Sequence, residues 1–72
     1  MSNENIIYLK KELSKINNLF KQRNFILVIN KSKILLKKNA YQPIIHNLIG
    51  LSYIKLGENE KAIESFLLAQ KK

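Results

Sequence analysis

The sequence predicts an all-α domain, and three observations carry that expectation. The chain of 72 residues is 46% apolar with a single Pro and two Gly, so long stretches run without a breaker. Apolar residues recur at alternating intervals of three and four, the spacing that lines up side chains on one face of a helix. There is no cysteine, which excludes a disulfide framework and a thiolate metal site. A chain this short buries only about 60% of the surface its unfolded state exposes, so helix packing alone must hold a small core.

Ser2 is placed to cap a first helix over roughly residues 3–22, by accepting from a free backbone N–H two or three residues on. Ile6, Leu9, Leu13, Ile16 and Phe20 form its apolar stripe. Gln22-Arg23-Asn24 interrupts the pattern, and Asn24 can cap a second helix bearing Phe25, Val28, Ile29, Ser32, Leu35 and Leu36 on one side. The short connection makes these two a helical hairpin. Asn39 to Gln42 reads as the next turn, because Pro43 suits the first turn of a helix and keeps the residue before it out of the helical region. A third helix follows to about Leu56, apolar on two sides, with Ile45, Leu48, Ile49 and Ser52 on one and Ile44, Leu51 and Ile54 on the other. Gly57 provides a left-handed cap, and Asn59 can start a fourth helix through about Lys71 bearing Ala62, Ile63, Phe66, Leu67 and Ala69. The fold class is two antiparallel helix-turn-helix hairpins stacked on each other.

Within the second hairpin, His46, Ile49, Gly50 and Tyr53 are followed by Ala62, Phe66 and Ala69. This run resembles the tetratricopeptide repeat, a two-helix unit of 34 residues written W-x2-L-G-x2-Y…A-x3-F. The resemblance implies a short solenoid filling residues 1–72 as one domain. Residues 43–72 form a well-formed repeat truncated at its end, residues 9–42 a degenerate one, and residues 3–8 an N-terminal extension. In this reading His46, Ile49, Gly50, Tyr53, Ala62, Phe66 and Ala69 are the packing positions, with His46 standing where the family usually has Trp. Gly50 lets the third helix approach the fourth, where Ala62 is also small, and Tyr53 and Phe66 fill the space around the contact. One period back, Gly50 falls on Ile16, Tyr53 on Leu19, Ala62 on Val28, Phe66 on Ser32 and Ala69 on Leu35, so the hydrophobic pattern survives while the identities do not. Ile16 in the small-residue position puts the interhelical distance of the first hairpin in question. Repeat arrays usually need about three units. The chain is therefore expected to be part of a longer protein, or else to have its last helix covered by another copy.

No catalytic constellation is visible. His46 is the only histidine, and the carboxylates at Glu4, Glu12, Glu58, Glu60 and Glu64 have no partner that would make an acid/base pair or a metal site. Glu60 and Glu64 form a solvent-facing pair one helical turn apart. There is no Gly-rich phosphate loop. No enzymatic activity, cofactor or metal is expected. The opening Met1-Ser2-Asn3-Glu4-Asn5 lacks the basic and apolar regions of a secretory signal, and the longest unbroken apolar run is Phe25 to Ile29, which leaves the cytoplasm as the default location.

The resemblance also implies where a partner binds. The family lines its inner, concave surface with the first helix of each repeat and takes peptide segments there. Carried over, the lining is Lys10, Leu13, Asn17, Phe20 and Lys21 from the first repeat, and Ile44, Asn47, Leu51, Ile54 and Lys55 from the second. Apolar groups, amides and ammonium groups together suit a peptide or protein partner with apolar side chains and some negative charge. Family members that clamp a C-terminal carboxylate use a Lys, Asn and Arg set of which only Asn17 is matched; Leu13 and Leu48 replace a Lys and an Asn. Three other functions compete. The overall look is similar to bacterial proteins whose repeats precede a glycosyltransferase or sulfotransferase domain, which would make this an accessory segment. The formal charge of +8, with nine Lys/Arg against two Glu in residues 1–40, raises nucleic-acid binding. Against it, Tyr8, Phe20 and Phe25 sit on or beside the apolar stripes, and Ile, Lys and Asn make up 32 of the 72 residues, a bias that an A/T-rich coding sequence produces without selection for binding. The third is self-association through the exposed last helix.

Overall fold

The computed structural model describes residues 3–38 and 42–71, with side chains from Ile6 onward. It contains four helices, α1 (Asn3–Lys21), α2 (Phe25–Lys38), α3 (Pro43–Lys55) and α4 (Asn59–Gln70), and no strand among the described residues. Consecutive helices pack on one another, α1 on α2, α2 on α3 and α3 on α4. The backbone extends 38 × 30 × 14 Å. Its thin dimension matches two layers of helices with axes about 8–10 Å apart and Cα radius about 2.3 Å.

The two hairpin turns are built alike. At the end of α1, Arg23 takes a left-handed φ of 63°, its N–H donates to the Phe20 carbonyl at 3.0 Å, and the Asn24 N–H donates to the Leu19 carbonyl at 2.9 Å. At the end of α3, Gly57 has φ of 80°, its N–H donates to the Ile54 carbonyl at 3.0 Å, and the Glu58 N–H donates to the Tyr53 carbonyl at 2.8 Å. This is the Schellman arrangement twice, satisfying the last carbonyls of each first helix. Each of these two bonds in the first turn has its counterpart 34 residues on. The second helices begin the same way, with the Val28 N–H on the Asn24 carbonyl and the Ala62 N–H on that of Glu58. Asn59 starts α4, as its sequence position suggests, and the residue before it, Glu58, is the N-cap without a side-chain cap bond.

At the start of α3, Gln42 is extended (φ −133°, ψ 98°), as a residue preceding proline must be, and its carbonyl accepts from Ile45 and His46. Ser2 and Asn39 to Tyr41, the expected cap of α1 and most of the second turn, lie outside the described residues.

One core unites the hairpins. Ile16 of α1, Val28, Ile29 and Leu35 of α2, and Ile45 and Ile49 of α3 are buried together, flanked by Leu9, Leu13, Leu19, Phe20, Leu36, Leu48 and Tyr53. The α1 stripe is not buried evenly, since Ile6 is exposed while Ile16 is sealed. In α4 the expected apolar set divides: Ala62 is buried with Phe66 and Ala69 half-buried, whereas Ile63 and Leu67 face outward.

Gly50 and Phe66 show why the second hairpin has its residues. A Cβ built on Gly50 would stand 2.6 Å from the Phe66 Cε1, with the next two nearest atoms also in that ring. The missing side chain is thus occupied by Phe66 rather than answered by Ala62. In the first hairpin the equivalent positions hold Ile16, 1% exposed, and Ser32, 0% exposed. Bulk has changed sides: small on the first helix and large on the second becomes large on the first and small on the second. That exchange keeps the interior of the first hairpin filled around Ile16 although its residue types differ from those of the second.

Candidate partner-binding surfaces

The ten residues expected to line the partner surface occupy five helical positions, each present twice at a separation of 34. At about 100° per residue they fall within one sector of α1 and the same sector of α3. Lys10, Asn17 and Lys21 on α1, and Ile44, Asn47, Leu51, Ile54 and Lys55 on α3, are exposed. Leu13 and Phe20 are half-buried and pack against the core, and the Phe20 ring meets that of Phe25 edge-on at 5.2 Å. These two hold α1 on α2 as well as edging the surface. The α3 row is the more apolar, with Ile44, Leu51 and Ile54 all exposed. A helix with apolar residues on both sides must bury one and show the other, and Ile45, Ile49 and Ser52 are the buried side.

A groove of about 370 Å³ lies on the other side of α3. His46, Ile49 and Tyr53 line it from α3, Lys33 and Leu36 from α2, and Lys61 and Leu68 from α4. The ammonium groups of Lys33 and Lys61 each stand 5.8 Å from the centre of the Tyr53 ring, a cation–π arrangement at both. His46 therefore lines a groove besides occupying a packing position. Sequence reasoning missed Lys33 and Lys61 here because their meeting at Tyr53 depends on how three helices stack, which no spacing along the chain records.

The aromatic residues relevant to nucleic acid are engaged within the protein. Tyr8 lies under the Lys38 ammonium at 5.7 Å, with its hydroxyl 3.5 Å from that nitrogen. Phe20 and Phe25 face each other. Among the described residues the one ion pair is Lys15–Glu12 at 3.1 Å, and no group of three or more His, Asp or Glu side chains could hold a metal. Nor is any described helix long and apolar enough to cross a membrane. Comparison with protein-family models, curated proteins and solved structures finds no significant match.

Proposed function

We propose that the chain is a non-enzymatic protein-interaction module of the tetratricopeptide-repeat type, cytoplasmic and bacterial, binding a peptide or partner protein along the outward rows of α1 and α3. The single observation that carries the reading is the 34-residue periodicity of the backbone. The left-handed turns with their hydrogen bonds, the ends of the first helices and the starts of the second helices recur at that interval even where side-chain identities do not. A repeated hairpin presents a repeated row of side chains, and such rows suit extended or helical segments that make the same contact at successive steps. Exposed Ile44, Leu51 and Ile54 supply apolar contact, Asn17 and Asn47 offer amides to a peptide backbone, and Lys10, Lys21 and Lys55 favour acidic side chains.

The experiment is capture from a random peptide library on the immobilised chain, repeated with Lys10, Asn17, Lys21, Asn47 and Lys55 changed together to Ala. Enrichment of acidic-apolar peptides that the fivefold variant no longer binds is the expected result. Peptides that bind both proteins equally would remove the assignment. The lysine excess in α1 and α2 supports a second reading, nucleic-acid binding. Micromolar binding to random DNA at physiological salt, falling steeply as salt rises, would favour it. Phe20 and Phe25, half-buried and packed edge-on against each other, are poorly placed as stacking platforms, which weighs against it.

A further inference from the structure

The outer stripe of α4 is a surface separate from the α1/α3 rows, and the 34-residue register reveals what it lacks. Ile29 on α2 and Ile63 on α4 are equivalent positions, yet Ile29 is 6% exposed and Ile63 is 59% exposed. The difference is α3, which covers α2, while no described helix covers α4 in the same way. Leu67, 61% exposed, and Leu68 extend the same uncovered surface, and a shallow hollow of about 590 Å³ opens between Glu64, Leu67, Leu68 and Lys71.

The outer face of α1 is polar instead. Ile45, Ile49 and Ser52 of α3 receive α2, and one period earlier α1 carries Lys11, Lys15 and Asn18, all exposed. A copy stacked head-to-tail would set Ile63 and Leu67 on lysines, so open-ended stacking is disfavoured. A two-fold arrangement has no such conflict, because the same apolar patch meets itself. Charge points the same way. The stripe is acidic toward its start, at Glu60 and Glu64, and basic past its end, at Lys71. Antiparallel pairing sets each acidic end beside the basic end of the other copy, and it keeps the strongly basic first halves away from the contact.

We propose that α4 is the self-association surface of this chain, pairing antiparallel with α4 of a second copy through Ile63, Leu67 and Leu68, with Glu64 steered toward the copy's Lys71. Sedimentation equilibrium of the 72-residue chain at roughly 100 µM tests it, a concentration at which a modest apolar contact is populated. The expected mass is twice the 8.4 kDa of one chain. Leu67→Glu should return the monomer with unchanged helical circular dichroism, since Leu67 contributes little to the interior. Glu64→Lys should weaken the dimer at least tenfold, and adding Lys71→Glu to it should restore most of that loss. A monomer at roughly 100 µM, which would leave α4 for a different helix or protein, overturns the proposal. So does a dimer that survives Leu67→Glu, and failure of the charge reversal to restore association overturns the antiparallel arrangement.

Discussion

Arg23 and Gly57 hold the same left-handed backbone at the same place in two hairpins, and exchanging their residue types should move stability in opposite directions. An L-residue in this region costs about 1–2 kcal/mol, which Arg23 bears at φ 63° and Gly57 avoids at φ 80°. Glycine in turn loses about 0.5–1 kcal/mol more backbone entropy on folding than alanine does. The difference leaves Arg23→Gly stabilising by about 0.5–1 kcal/mol. For Gly57→Ala the surroundings add nothing, because an added Cβ would meet no atom within 4 Å, so the backbone effect alone should destabilise by about 1 kcal/mol. In a domain of this size about 1 kcal/mol corresponds to a Tm shift of about 4–8 °C. Thermal unfolding followed by circular dichroism at 222 nm, with urea titration as a check, reads both changes. Loss of stability in Arg23→Gly, or no change in Gly57→Ala, would refute the equivalence of the two turns.

Three further expectations follow from the interior. Gly50→Ala should destabilise despite the better helix propensity of alanine, because about 1–3 kcal/mol of overpacking against the Phe66 ring outweighs a gain of about 1 kcal/mol; adding Phe66→Leu should recover part of the loss, and a Gly50→Ala protein more stable than the parent would contradict the contact. If bulk has been exchanged between Ile16 and Ser32, then Ile16→Gly combined with Ser32→Phe should cost at least about 1 kcal/mol less than the sum of the single changes, whereas simple additivity in urea unfolding would dismiss the exchange. The Ser52 hydroxyl is buried with no hydrogen-bond partner, so Ser52→Ala should raise stability by about 1 kcal/mol, and a measured loss of that size would mean the hydroxyl is satisfied after all.

Particular residues show how much of this could be read from the chain. The four helices were legible because Pro43, Gly57 and the three-and-four spacing act locally, each fixing backbone or face with no help from the rest of the fold. Arg23 was not legible as a left-handed residue: arginine has no preference for that conformation, and only closure of the hairpin imposes it. The start of α4 at Asn59 was legible, whereas the Schellman bond from Glu58 to Tyr53 that fixes where α3 stops was not. The burial of Ile63 and Leu67 could not be decided from periodicity, since an apolar stripe faces either a neighbour or water depending on whether the neighbour is present. The outward rows of α1 and α3 followed from the resemblance, and their exposure is a property of the packed chain. The Lys33–Tyr53–Lys61 cluster lay beyond any reading of spacing.

The central functional claim is that partners are held along α1 and α3. Backbone amide NMR of the chain titrated with a library-selected acidic-apolar peptide tests it most directly. The account predicts that the largest shift changes fall at Lys10, Asn17 and Lys21 together with Ile44, Asn47, Leu51, Ile54 and Lys55. Changes confined to the Tyr53 groove or to the outer stripe of α4, with those two rows silent, would contradict it.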